Sequence, residues 1–523
     1  MADTFLGILE PELGWLQILE QEGIVYKVLS QIPEKYSSPI IINRELNEEE
    51  VIHTHNLLDS GVGIITDFQN LSMLISNIRY KTSRISYIYG ESELFYNISI
   101  IDLKLKGNRL ATHSRKSENE KQKVDSIFEA EYGKGYIIAL PFDVNQAILD
   151  TRSELKPFYF PHRKFPYELV AVINKGAVRK LVVNCLKKLY QKMHLPYVHL
   201  WYYPNTFQSA FCFRVDTDFA PEIALRTTLN LSQTKDIDFT YFINTGQMPN
   251  IQHPMFRDIQ IHCFRHQVYK DYPKNFENIK TAKSILVKNG IKPIGFVSPF
   301  GKWNKNLQYA MESNGIKYSS EFSLDYDNLP FFPIVNNKKS SVLQIPVHPI
   351  CIGRLLQAGL SEEQCKKYYE DYLVAQYLAN EPIFIYDHPH RIHQFPELFS
   401  AVLDKVKGLS NLWITTMTEF YHWWIKRLNI YNSFEWQMQN TTLKIETADH
   451  WDNVFLHIIT PDAKESFIPI KNGHYELTNL QYTPISQVRQ QKDFSKIIYT
   501  RSAQAKIQTI FYELIKWISN LGK

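Results

Sequence analysis

From Ala210 to about Lys426 the chain repeats one pattern: a short apolar run ending in polar or ionisable residues, then an amphipathic helical stretch. The runs are Phe211 to Val215, Phe239 to Ile243, Ile259 to His262, Ile294 to Ser298 and Ile383 to Tyr386. Runs of this length suit strands covered on both faces, and helices between them suit parallel crossovers. One such helix is expected over Asn278 to Lys288, closed by Asn289-Gly290. The serial βα order predicts a distorted (β/α) barrel over 201–430, with its chemistry at the strand ends.

A chain of 523 residues has room for more than that barrel, at roughly 100–200 residues per domain. Residues 1–200 also alternate strand-like and helix-like segments, which predicts an open, flavodoxin-like α/β domain. Leu13 to Glu22 is expected as a helix, and Asn47 as the cap of another. Pro39 to Ile42, Gly61 to Thr66 and Gly133 to Pro141 are expected strands, and Ser114 to Lys123 a solvated loop. Residues 167–194 carry apolar positions at helical spacing. After Arg427 the texture becomes β-rich, with Thr442 to Glu446 and Val454 to Ile459 as strands and Asn472-Gly473 as a hairpin-type turn. A small β-rich domain is expected over 431–523, closed by a helix from Ala503 to Leu521.

A net charge of +4 and no long basic run argue against a nucleic-acid partner. No stretch approaches the ~20 apolar residues of a membrane span. The N-terminus lacks a basic then apolar leader, so the expected location is cytoplasmic. Cys185, Cys212, Cys263, Cys351 and Cys365 show no metal or redox spacing and are expected as buried, reduced thiols.

Three of the strand ends carry candidate chemistry. Asp216 and Asp218 close the first run, and two carboxylates so placed need a cation or a proton, unless they are a solvated loop or a helix cap. His262 and His266 follow the third run, and imidazoles at i and i+4 meet on one helical face at ligand spacing. Hydrogen-bonded core or surface histidines are the plainer alternative. Asp387-His388-Pro389-His390 closes the last run, where His388 either exchanges protons or rests in a solvated loop.

The order strand–Asp-x-Asp, strand–His-x-x-x-His, strand–His-Pro resembles the polysaccharide deacetylases of the NodB-homology superfamily (carbohydrate esterase family four) over about residues 205–427. That resemblance implies a divalent ion, expected as zinc, on Asp218, His262 and His266. It implies Asp216 as base, His388 as acid with His390 as a substitute, and the Phe300 backbone N–H as oxyanion donor. The family's third motif normally opens with an arginine that orients the base; Val297 stands there, and Arg214 or Arg265 is left to supply the charge. Asp325 or Asp327, in the stretch that stands for the fourth motif, is expected to tune His388. Trp303, Tyr318, Phe331 and Phe332 either stack on sugar or pack in the core. The implied activity is metal-dependent removal of an N- or O-acetyl group from an acetylated carbohydrate or cell-envelope precursor. Two rivals stay open: a weakened or inactive carbohydrate-binding relative, and a hydrolase of a non-sugar C–N bond. Residues 1–150 resemble the glutamine-amidotransferase-like domains, but no cysteine precedes Cys185 to serve as their nucleophile.

Overall fold

The computed structural model describes residues 5–76, 78, 80–83, 86–105, 110–113, 127–158, 165–247, 256–439, 441–447, 451–485, 499–501, 505 and 507. The chain divides into two compact units. The first is Met1–Asp150, Ala177–Thr206 and Ile425–Gln490; the second is Thr151–Gly176, Phe207–Trp424 and Gln491–Lys523.

The first unit holds an open sheet of β1 (Leu6–Leu9), β2 (Tyr26–Leu29), β3 (Ile40–Ile42), β4 (Gly63–Asp67), β5 (Phe128–Tyr132) and β6 (Gly135–Leu140). The order is β2-β1-β3-β4-β6-β5, parallel except for the β5 edge. Ile40, Ile42, Ile64, Ile137 and Ala139 from its middle strands share a core with Leu57 and Leu58 of the helix Glu48–Ser60. That helix starts where expected, because Asn47 and Glu50 form a reciprocal capping box. The helix Leu13–Glu22 also forms as expected. The strand expected within Gly133 to Pro141 forms as β6, the second arm of a hairpin turned at Gly133 with φ +58°. Four antiparallel sheets complete this unit among the described residues, and Tyr197–Leu200 pairs there with Trp451–Ile459. Most of the expected closing helix, and the loop at Ser114 to Lys123, fall outside the described residues.

The second unit is built on a curled parallel sheet, as the βα repeat predicts. Its strands are β7 (Ser209–Asp216), β8 (Thr240–Asn244), β9 (Asp258–Cys263), β10 (Gly295–Phe296), β11 (Tyr318–Ser319), β12 (Leu343–Gln344), β13 (Ile383–Asp387) and β14 (Leu412–Ile414). The order is β12-β11-β10-β9-β8-β7-β13, with β14 also on β7. Alternation fixes what each face carries. Phe211, Phe213, Val215, Tyr241, Ile243, Ile259, Ile261, Ile383 and Ile385 join the apolar core with helices such as Tyr272–Lys288. Arg214 and Asp216 share the other face of β7.

Two local expectations change. Residues 167–194 are not one helix: Tyr167–Ala171 is a strand paired with Ser153–Pro157, and the helix begins at Lys175. Tyr167, Val170 and Ala171 are buried, so packing of a two-stranded ribbon overrides the helical spacing. The helix expected over Asn278 to Lys288 starts earlier, at Tyr272, with Asp271 capping it and a proline in its first turn. No helix among the described residues is long and apolar enough to cross a membrane.

Candidate metal centre

Four of the sequence-marked side chains converge at the ends of β7, β9 and β13. Asp218 follows β7 in the left-handed region, with φ +43°. That conformation is costly for a non-glycine residue and persists where its surroundings hold it. Asn244 at the end of β8 supplies the hold, its amide donating to the Asp218 carbonyl at 2.9 Å. The Asp218 carboxylate then meets two imidazoles. His262 Nε2 lies 2.9 Å and His266 Nε2 3.0 Å from the same oxygen, Oδ1. His388 Nε2 stands 3.4 Å from the other oxygen, Oδ2.

The histidine pair does not meet on a helical face. His262 is the penultimate residue of strand β9, and His266 lies beyond it in a bend. Asn278 holds that bend by bonding the backbone of Phe264, Arg265 and Gln267. Strand plus bend brings the two rings to 5.0 Å between centroids.

Proton counting shows what this cluster wants. His262 Nδ1 faces the Val297 carbonyl at 3.0 Å, and a carbonyl only accepts. Nδ1 therefore carries the proton, and a neutral His262 presents a bare Nε2 to the Asp218 carboxylate. Two acceptors at hydrogen-bond distance need a proton or a metal cation between them. Asp218, His262 and His266 offer one oxygen and two nitrogens within 4.8 Å of one another, a set able to hold a divalent ion. The charges agree. Burial pushes the Asp218 carboxyl up, but the His388 charge and the facing imidazoles of His262 and His266 outweigh it, holding it well below the usual carboxylate range. Burial pushes His388 down, but Asp218, together with bonds from Asp387 and Cys351, holds it well above the ordinary imidazole value.

Asp216 is held separately. Arg214 donates to both of its oxygens, Nε at 2.7 Å and Nη2 at 2.6 Å, while Nη1 reaches the Ser320 carbonyl at 2.6 Å. The guanidinium is buried, 5.7 Å from the centre of the Phe242 ring and 5.1 Å from that of Tyr386. A planar fork on a carboxylate is the geometry for which arginine differs from lysine. Beside it Glu321 is wholly buried, accepts the Ser298 N–H at 3.2 Å, and is pushed up to about 7 by that burial.

Phe300 has φ +60°, is 59% exposed, and sets its ring edge-on to His266 at 4.9 Å. Phe219, 57% exposed, flanks the same imidazole at 5.2 Å. Arg265 is exposed, and Arg214 rather than Arg265 is the arginine on Asp216. Asp327 bonds His348 and Tyr372, and Asp325 accepts from Asn328; the groups facing His388 are Asp218, Asp387 and Cys351. His390 sits with its ring 5.6 Å from that of His388 and is pushed down by burial and by the His388 charge. Trp303 bonds Gln308, whereas Tyr318 and Phe331 are buried in the core and Phe332 is half-buried. Asp387, Cys351 and Glu321 were not singled out from the sequence. Asp387 had a signal, because it immediately precedes His388; the other two come from distant segments.

No protein-family model and no curated protein matches the chain. Solved structures similar to part of it include the Puue allantoinase, at 17% identity and TM-score 0.38, covering 43% of this chain and 93% of that one. A family 4 carbohydrate esterase from Streptomyces lividans, in complex with acetate, is similar at 12% identity and TM-score 0.26, covering 39% and 90%. A family 4 acetyl xylan esterase from Clostridium thermocellum, in complex with a cobalt ion, is similar at 12% identity and TM-score 0.27, covering 41% and 91%.

Proposed function

We propose that this chain is a metal-dependent hydrolase that removes an acetyl group from an acetylated carbohydrate or cell-envelope precursor. The observation that carries the reading is a pair of carboxylates two residues apart with different cation partners: Asp216 on Arg214, Asp218 among His262, His266 and His388. Asp218, His262 and His266 would hold the ion, with zinc the choice that suits one oxygen and two imidazole nitrogens. When bound, a divalent ion supplies an electrophile for the acetyl carbonyl and an acidified water.

The chain's own residues do the rest. Asp216 accepts the proton of the attacking water, and Arg214 keeps its carboxylate aligned for that transfer. The Phe300 N–H donates to the developing oxyanion. His388 delivers a proton to the departing amine or alcohol. Burial lowers that imidazole's proton affinity, and Asp218 beside it acts the other way, favouring the charged form that donates.

Val297, at the place of the family's orienting arginine, argued for a carbohydrate binder without turnover. Arg214 on Asp216 favours the active reading, because the guanidinium reaches the carboxylate from two residues upstream on the same strand. The test is acetate release from acetylated sugars, assayed beside small linear and cyclic amides. Asp216→Asn is expected to lower kcat by roughly 10²–10⁴-fold while keeping the bound metal. Release that is unchanged in Asp216→Asn, or confined to amides, contradicts the proposal.

A further inference from the structure

A second group of ligand atoms lies on the far side of His388. The Cys351 sulfur, a carboxylate oxygen of Asp387 and a ring nitrogen of His388 all lie within 4.8 Å of one another. The two ring nitrogens divide the work. Nε2 faces Asp218 at 3.4 Å, whereas Nδ1 faces Asp387 Oδ1 at 3.7 Å. Cys351 is 6% exposed and sets its sulfur beside the His388 ring. Asp387 is fully buried and already oriented, since Ile352 N–H donates to Oδ2 at 2.8 Å and His388 N–H to Oδ1 at 2.9 Å. A carboxylate offers about four lone-pair sites, so two N–H bonds leave it able to ligate.

We propose that Cys351, Asp387 and His388 form a second, thiolate-containing site for a borderline-soft divalent cation such as zinc or cobalt. Thiolate, imidazole and carboxylate together select this class over magnesium or calcium, which take oxygen sets. Binding releases the thiol proton and forms a sulfur–metal bond, with no redox change. The site is distinct from the Asp218 trio in its ligands but shares an imidazole with the proposed reaction. An ion on Nδ1 engages the ring whose Nε2 faces Asp218, so filling this site opposes the proton delivery proposed for His388. That consequence rests on the proposed function; the site itself does not.

The experiment titrates the metal-free full chain with cobalt(II), reading equivalents bound by equilibrium dialysis and the near-ultraviolet thiolate-to-cobalt band. The expected result is two equivalents, with the thiolate band appearing as the second fills. Cys351→Ser and Cys351→Ala should each bind one equivalent and lose the band, with unchanged circular dichroism. His262→Ala should also bind one equivalent but keep the band. One equivalent in the unaltered chain, no thiolate band, or a band that survives in Cys351→Ser overturns the proposal. Loss of the band with His262→Ala still removing one equivalent spares the Asp218 centre, so the two readings fail separately.

Discussion

Two histidine clusters, one in each unit, share a shortage of protons and resolve it differently. In the first unit the Glu22 carbonyl faces His199 Nδ1 at 2.9 Å, His199 Nε2 faces His457 Nδ1 at 2.9 Å, and His457 Nε2 faces Glu465 Oε2 at 2.8 Å. The carbonyl only accepts, so His199 donates there and accepts from His457. A neutral His457 is then left with a bare nitrogen against a carboxylate. One more proton is required, and Glu465 carries it, because burial pushes its carboxyl up while burial pushes both imidazoles well below their ordinary value. In the second unit the same deficit falls on His262 against Asp218, but His266 joins on the same oxygen. A proton serves two atoms on a line; three ligand atoms round one point form a set able to hold a metal ion. Histidines paired end to end build structure, whereas histidines converging on one shared carboxylate oxygen build a site.

Arg214 supplies a third kind of cation, and removing it should have the largest effect on stability. Arg214→Met leaves the Asp216 carboxylate buried without its partner, and about 3–5 kcal/mol of stability should be lost, read from the urea midpoint. An unchanged midpoint would mean that Asp216 needs no fixed cation, and the contrast with Asp218 would collapse.

Acid should probe the first unit's cluster next. His199 and His457 stay neutral when folded, burial being the largest cause. Unfolded imidazoles take up protons below about pH 6.5. Their contribution is therefore present above that pH and lost as pH falls, by up to about 1.4 kcal/mol per pH unit per histidine. The double variant His199→Phe/His457→Phe should flatten the stability curve below pH 6.5; an unaltered slope would show that these rings are charged in the fold.

The smallest effect should come from Glu465→Gln, whose amide N–H donates to His457 without any extra proton. A raised carboxyl gives its full contribution below the ordinary value near 4.3 and loses it as pH rises through the folded value. The variant should match the unaltered chain at low pH and gain at most about 1.5 kcal/mol near pH 8. A loss at pH 8 would place the extra proton on a ring instead.

Much of the site was legible in the sequence because its residues sit at strand ends, where alternation and the βα order fix their direction. Asp218, His262, His266 and His388 meet at or beyond the strand ends, while Asp216, at the end of β7, pairs with Arg214; all five were marked. Arg214 was marked only as one of two arginines, although i, i+2 spacing on β7 already put it on the face of Asp216. What stayed hidden depends on partners far along the chain. Cys351 reads alone as an ordinary buried thiol until β13 delivers Asp387 and His388 beside it. His199 and His457 lie 258 residues apart and carry no shared motif. Asp327 sat at a plausible distance in sequence, yet His348 and Tyr372 claim it.

The proposed hydrolase chemistry rests on a divalent ion among Asp218, His262 and His266, and elemental analysis of the purified full chain tests that directly. The unaltered chain should retain at least one equivalent of a transition metal after gel filtration. His262→Ala and His266→Ala should each lose that equivalent, with affinity falling more than the roughly 10–100-fold expected for residues that only support a ligand. Equal metal content in the unaltered chain and in both variants would contradict the account.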